Sequence, residues 1–574
     1  MNKENQRNDS ELYREYLGLK GFSLQPWARD NSRFAFLENM YIDREGGGGL
    51  ESIPGFRRLI GFEENIHSLA LQICEGEKFI IFHSGNRLYR MGYRSGECSL
   101  IAEISGKESR MTVFGSLVLI NDGEALYSLD GSGNLNILSS ENFILGCRSV
   151  ALFDGRLFFS ANKELKGEIF YSTRLCEEIV LSQDNHIYEG GDISHILAHR
   201  GRLWVFRSAE SEICETVCHT CGEGFPISLT LEGFDLITAP LAIGEEIFLL
   251  TEQGLLAIEI PDGKEAKTSN YSLDINPMLL RENLKDAGLL LWKNYIMIGC
   301  GRHIYLGDRF STKGNIDWYF LNGIGSHSGD RRVFRYSKAC ENGYNTHKAT
   351  NEKARGEVIS LKTEDGRIIY YSQEQDKKYL VYPTEEREGG ILLPAEKFIS
   401  DKELLIFSAG SGIYIFNSDM RGVAPREIRD NADFDKEEYK RLYGHLIHKS
   451  FYSFDHHTPK YIIATCYDDC GFPYEKKSAI GQSLMLRLSV SEKTNIRVKI
   501  NTESEKDILH NIKASIEEKT VDVYQNSAIP LPVAEKAHRF NSKQIIIEAE
   551  DYCSPIAFHS LAFRYLIEEK IKKG

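Results

Sequence analysis

The sequence predicts an all-β chain: an N-terminal β-propeller of six to eight four-stranded blades, seven favoured, followed by a C-terminal antiparallel β-sandwich. Three observations carry that expectation. The first is a recurring figure of strand, tight turn and strand. It is clearest from Arg148 to Phe159, where apolar residues flank Asp154-Gly155 and the two-residue turn needs positive φ. The figure returns from Met111 to Ile120 around Gly115, from Ile196 to Phe206 around Gly201 and from Leu241 to Leu250 around Gly244, with looser copies at Gly76 and Lys293-Asn294. The second is spacing: successive turns stand 39, 40, 46, 43 and 50 residues apart, in or near the range of propeller blades. The third is a further turn soon after most of these, at Gly85, Gly123, Gly167, Gly254 and Gly301. Two hairpins per period make a four-stranded sheet.

In chain order, Ser10 to Leu17 has the pattern of a short helix with Ser10 as N-cap, ended at Gly18 or Gly21, or of a frayed terminus. Residues 1–60 are expected to form an N-terminal arm and an opening hairpin, with Gly46 to Gly49 as a flexible tip. A phosphate-binding loop is the poorer reading of those glycines, because no Gly-Lys-Ser/Thr follows and no strand leads directly into a helix. The propeller is expected over 61–425. Five blades fall between 66 and about 260, and a sixth over 284–308. Residues 323–351 read as a long polar blade loop. Strands resume at 357–361, 367–371, 403–407 and 412–416, where Leu404 to Gly410 mirrors Phe79 to Gly85. A charged linker is expected over 426–445. The sandwich domain, 446–574, is expected to hold strands at 460–465, 483–490, 494–501, 544–549 and 559–567, and the basic end from Lys570 to Lys573 reads as a solvated tail.

Composition agrees. With 574 residues, 42% hydrophobic and 11% aromatic, the chain can bury a large core. One propeller absorbs roughly 300 residues, so two bodies are expected rather than about four. The 49 glycines against 14 prolines suit many tight turns and not disorder. Met1 to Ser10 is polar, and no run of about 18 apolar residues follows, so neither a secretory signal nor a membrane partner is expected. Folding in a cytosol makes the 12 cysteines reduced thiols. The 83 acidic and 69 basic residues leave a net charge of −14, which argues against gripping nucleic acid through its phosphates. An acidic wall repels DNA, and that suits a conduit better than a clamp.

No catalytic, cofactor or metal residues are assigned. Cys214, Cys218 and Cys221, with His219, have spacings that begin a zinc site, but a structural zinc wants a second close pair, and Cys466 and Cys470 lie in the other expected domain. Free thiols are the reading there. His456 and His457 diverge if they lie on a strand. His195 and His199 share one strand face and read as packing or surface residues. Trp204, Trp292 and Trp318 are candidates for a sugar platform, although Trp204 and Trp292 sit inside strands and so read as core. Sialidase-like turns with their tryptophan, a Gly-x-Ser-x-Gly elbow, a His-Glu-x-x-His helix and a Walker loop are all missing from the sequence, so no enzymatic activity is expected.

Two segments carry a resemblance. Asn39, Asp43, Gly48, Leu50, Pro54, Gly55, Phe56 and Arg57 match the opening hairpin common in phage propeller proteins, with Ile53 where arginine is usual. Cys466 to Pro473, Arg497 to Thr502, Ser554 to Phe558 and Phe563 to Tyr565 resemble the packaged-DNA stabilisation proteins of tailed phages and prophages. Tyr474 stands where histidine often follows, and Glu568-Glu569-Lys570 replaces a usual Gly-Arg. The resemblance implies a structural virion protein at the head-tail junction, of the tail hub or nozzle kind, that closes the DNA channel after packaging. It implies a homo-oligomeric ring, hexamer favoured. Its partners are the portal or head-tail adaptor protein, tail fibre, spike or needle proteins, and encapsidated DNA that passes without sequence-specific binding. Such a protein is made in the bacterial host cytoplasm and resides in the virion. The alternative is a carbohydrate-binding or glycan-hydrolysing propeller.

Overall fold

The structure of the chain, a computed structural model, describes residues 12–16, 21–22, 33–42, 49–321 and 460–568, the last two stretches with short gaps, together with strands between 344 and 416. The expected linker, 426–445, and most of the polar stretch 323–351 lie outside the described residues.

The tight turns read from the sequence organise the chain. Asp154 and Gly155 take φ of 46° and 71°, Arg200 and Gly201 51° and 71°, and Glu75 and Gly76 51° and 85°. A two-residue hairpin needs left-handed residues because only that hand matches the twist of its strands, so even Arg200 and Glu75 adopt it. Around these turns, four-stranded antiparallel meanders form over 66–103, 110–139, 150–188, 193–230 and 241–270, and a sixth run of four strands covers 288–321.

The sheets follow one another in a ring. Ile66–Cys74 lies beside Arg110–Phe114, Val150–Phe153 beside Ile193–His199, and Leu241–Ile243 beside Gly288–Trp292. Gly288–Trp292 in turn lies beside Lys397–Ser400, which lies beside Ile66–Cys74. This is a β-propeller. Its last sheet combines Lys397–Ser400, Leu405–Ala409 and Gly412–Phe416 with Phe56–Gly61, so a strand from the N-terminal side completes it and the propeller begins ahead of the expected boundary at 61. The strands expected at 357–361 and 367–371 belong to a separate four-stranded sheet over 344–384. That sheet is not a ring neighbour of Gly288–Trp292, because Lys397–Ser400 holds that place.

Residues 12–16, expected as a helix or a frayed end, are a strand, Leu12–Tyr16, paired along the edge of Ile556–Ile567 from Leu12↔Tyr565 to Tyr16↔Leu561. Exposure alternates along it, with Tyr13 64% exposed and Tyr16 2%. An open row of backbone donors and acceptors overrides a weak local helix signal.

The next strand joins two regions. Phe34–Glu38 pairs antiparallel with Lys460–Thr465 and touches Asn315–Leu321 through a parallel Glu38↔Phe320 pair. A nine-stranded sheet therefore runs from the propeller strands 288–321 through Phe34–Glu38 into Lys460–Thr465, Lys543–Glu550, Thr494–Thr502 and Glu517–Val523. At Asn39 the chain changes sheets. Its φ is 58°, its N–H donates to the Phe320 carbonyl at 2.8 Å and its carbonyl accepts from Ile53 at 2.9 Å. Asparagine tolerates this left-handed conformation better than most residues with a β-carbon. Met40–Ile42 then pairs with Leu50–Ser52, and Leu50–Ser52 with Ile556–Ile567, inside a seven-stranded sheet that also holds Lys477–Val490. The nine-stranded and seven-stranded sheets share one apolar core, which includes Phe34, Ile462, Ile547, Leu484, Phe558 and Phe563.

Candidate functional site

Two polar clusters stand out. The first lies where the inner strands of neighbouring propeller sheets begin. Ser109, Ser149 and His195 hold equivalent places, each at the same offset ahead of Gly115, Gly155 or Gly201. The serines tie sheet to sheet. Ser109 Oγ is 2.9 Å from His83 Nδ1 and also hydrogen-bonds Ser68 Oγ, while Ser149 Oγ accepts from the Ile196 N–H at 3.0 Å. In the next sheet the place is taken by His195, and the strand is irregular just before it, between Ile193 and His195. Such bulges re-aim a side chain.

Two arginines accompany His195. Arg110 Nη1 donates to the Arg148 carbonyl at 3.1 Å, and Arg148 Nη1 pairs with Asp192 Oδ1 at 2.9 Å. Burial pushes the His195 imidazole down to about 4, and the positive charges of Arg110 and Arg148 push the same way. His83, fully buried, is also pushed down to about 4, by burial and then by His67, whose ring centroid is 4.8 Å away.

The Ser109–His83 pair does not complete a catalytic triad. His83 Nε2 is buried without a hydrogen-bond partner. The nearby Asp122 instead accepts N–H groups from Ala125 at 2.8 Å and from Glu124 and Ser105 at 2.9 Å. Burial acts to raise the pKa of Asp122, yet these donors together hold it below the ordinary carboxylate value. The pair reads as a pin between sheets.

The second cluster is buried between Leu12–Tyr16 and the C-terminal strands. Asp468 Oδ2 accepts from Tyr16 Oη at 2.6 Å and from Arg14 Nε at 2.7 Å, and Oδ1 accepts the Cys470 N–H at 2.7 Å. Asp468 and Lys543 also exchange backbone hydrogen bonds at 2.9 and 3.1 Å. Lys543, with no exposed surface, directs Nζ to Tyr16 Oη and Cys470 Sγ, each at 3.4 Å, and lies 4.0 Å above the Phe563 ring. Lys477, equally buried, donates to the Phe472 and Glu475 carbonyls at 2.6 and 2.7 Å. Burial pulls the Asp468 pKa up, but Lys543, Tyr16 and Arg14 outweigh it and leave it below the ordinary value. The cluster clamps the first strand to the C-terminal sheets.

Sequence reasoning missed this cluster, in which Tyr16 and Lys543 are 527 residues apart. The one local signal is Lys543 at the head of an apolar strand. Trp204, Trp292 and Trp318 are all buried, and Trp318 Nε1 donates to the Tyr271 carbonyl at 2.9 Å, so none of them offers a sugar platform. His199 follows His195 on the same strand, with Nε2 buried and unpartnered. Cys470 packs against Lys543, whereas Cys466 Sγ lies 3.9 Å from the Arg33 carbonyl. No metal-holding group of three or more His, Cys, Asp or Glu occurs among the described residues. The Cys214 side chain, Cys218, His219, Cys221, His456, His457 and Gly46 to Gly48 lie outside them. Among the described residues no helix is long and apolar enough to cross a membrane.

No family model matches the chain, and no curated protein matches it. Among solved structures it is similar to streptogramin B lyase, at 10% identity over 63% of this chain and 97% of that one, with a TM-score of 0.35. It is similar to the WD40 domain of SCAP from fission yeast, at 9% identity over 63% and 98% of the two chains, with a TM-score of 0.35. The WD40 domain of Neurospora crassa Pan2 matches at 7% identity over 63% and 95%, with a TM-score of 0.30. Overlaps this loose say nothing of activity or partners, and the propeller assignment rests on the chain's own ring of sheets.

Proposed function

We propose that the chain is a seven-bladed propeller joined to a β-sandwich and that it serves as a structural, non-enzymatic virion protein at the head-tail junction of a tailed phage. It is of the packaged-DNA stabilisation, tail hub or nozzle kind. Copies form a ring, hexamer favoured, against the portal or its adaptor and the tail fibre, spike or needle proteins, and encapsidated DNA passes without sequence-specific contact. The protein is made in the host cytoplasm and resides in the virion.

One observation carries the reading. The two segments that resemble this family, remote in sequence, are partners in space: Leu50 pairs with Phe558 and Glu51 with Ala557. The matched Asn39 occupies the left-handed position where the chain changes sheets. A nine-stranded sheet common to propeller and C-terminal strands also suits a part that must bear load without hinging.

The test is the mass of the protein by light scattering, alone and mixed with a portal complex from the same genome. A ring in either state is expected. A monomer in both overturns the proposal.

A further inference from the structure

We infer that Cys470 and Lys543 form a redox-controlled covalent bridge, a bond from Sγ to Nζ made when a peroxide oxidises the thiol. This goes beyond the virion reading and stands or falls separately from it.

The two buried lysines of the C-terminal cluster differ in how they are satisfied. Lys477 Nζ donates to two carbonyls, at 2.6 and 2.7 Å. Lys543 Nζ, equally buried, has a hydroxyl and a thiol as its hydrogen-bond partners among the described residues, Tyr16 Oη and Cys470 Sγ, each at a long 3.4 Å. A buried ammonium is normally paired closely with oxygen acceptors, so this nitrogen is poorly satisfied and has sulfur as its neighbour. The separation is also a near-attack contact, because groups held about 3–3.5 Å apart react as if at very high concentration.

The backbone holds both atoms in place. Cys470, at φ 57°, donates its N–H to Asp468 Oδ1 at 2.7 Å, and its carbonyl accepts from Tyr565 Oη at 3.3 Å. Lys543 exchanges its two backbone hydrogen bonds with the same Asp468. Cys466, the nearest cysteine in sequence, directs Sγ to the Arg33 carbonyl at 3.9 Å, so an amine and not a second thiol is poised to meet an oxidised sulfur. Cys470 is 6% exposed, beneath the exposed turn residues Gly471 and Pro473, and local opening of that turn admits a molecule as small as a peroxide. Burial holds the thiol above its ordinary pKa while Lys543 pulls it down, so oxidation is slow and quickens in alkali. In the first step sulfur attacks a peroxide oxygen, the O–O bond breaks, and sulfenic acid and water form. Nζ then attacks Sγ, the S–O bond breaks and a second water leaves, its hydrogens including one from nitrogen. One thiol, one amine and one hydrogen peroxide thus give one sulfenamide and two waters.

The experiment is peptide mapping by mass spectrometry of the full chain after overnight incubation with hydrogen peroxide at alkaline pH, with remaining thiols then alkylated. It is repeated on Cys470→Ser, and on oxidised wild type after dithiothreitol. A peptide joining Cys470 to Lys543, lighter by two hydrogens than the sum of its parts, is expected in wild type. Dithiothreitol should separate it again, because a thiol attacks Sγ and expels the amine. Cys470→Ser should yield no joined peptide at Lys543. Cys147, buried beside Asn121, is the internal control and should join no lysine. Recovery of Cys470 as a thiol, or as sulfinic or sulfonic acid without the joined peptide, overturns the inference, as does the same modification of Lys543 in Cys470→Ser.

Discussion

The propeller sheets and the composite region made by the N- and C-terminal strands are built from opposite kinds of contact. Between 66 and 270 the strands of each sheet pair in sequence order. In the composite region Leu12 faces Tyr565, Phe34 faces Thr465 and Leu50 faces Phe558. The first pattern repeats, and each sheet can form from its own hairpins. The second forms only when both ends of the chain are present, because neither set of strands covers its apolar face alone. The polar clusters follow the same division: Ser109 and Ser149 link neighbouring sheets, whereas Asp468 draws together Tyr16, Arg14 and Lys543.

The largest expected effect falls on the composite region. Asp468→Ala leaves Lys543 and Arg14 without their carboxylate in a buried setting, and removing one partner of such a group destabilises by about 3–5 kcal/mol. Chemical denaturation should show that loss, and Asp468→Asn, which keeps the shape and one acceptor, should lose less. A change under 1 kcal/mol would break the comparison, since the long-range cluster would then hold nothing.

Next comes acid. The unfolded chain protonates His83 and His195 near 6.5, whereas the folded chain does so near 4, so the unfolded state binds more protons between those values. Stability should hold above about pH 6.5 and fall as pH drops to about 4, by on the order of 3 kcal/mol per histidine. His83→Gln should flatten that slope in a melting series across pH. Asp468, whose folded pKa is depressed, adds its own loss only below about pH 4.

Smaller effects separate packing from backbone. A β-carbon on Gly307 would lie 2.6 Å from Ile316 Cγ2 and 3.0 Å from the Trp318 ring. Gly307→Ala should therefore destabilise by about 1–3 kcal/mol through overpacking. Gly155, at φ 71°, has open space around it, so Gly155→Ala should lose only about 1–2 kcal/mol, for the left-handed backbone. Melting temperatures in one buffer rank the two. Breaking the Arg174–Asp154 pair, whose side chains are 52% and 37% exposed, should change stability by less than about 0.5 kcal/mol.

This division also explains what the sequence disclosed. Gly115, Gly155, Gly201 and Gly244 mark the turns because a two-residue hairpin leaves its mark on the residues that make it. Leu12 to Tyr16 misled because its strand depends on an edge more than 500 residues away, and no local pattern records that edge. The pairing of Gly412–Phe416 with Phe56–Gly61 was hidden for the same reason. Among the site residues, His195 and its strand-mate His199 were visible as a pair, but not that Arg110 and Arg148 would gather beside His195. Asn39 stood out only through its place in a resembling motif. The structure supplies its physical reason, a left-handed residue at a sheet crossing.

The central claim is that the N-terminal strands are built into a body continuous with the propeller, and hydrogen exchange on the full chain tests it most directly. Backbone amides of Phe34–Glu38, Lys460–Thr465 and Lys543–Glu550 should exchange as slowly as those of Leu117–Asn121 in the propeller. Rapid exchange of Phe34–Glu38, with Leu117–Asn121 still protected, would mark a loose arm and contradict the account.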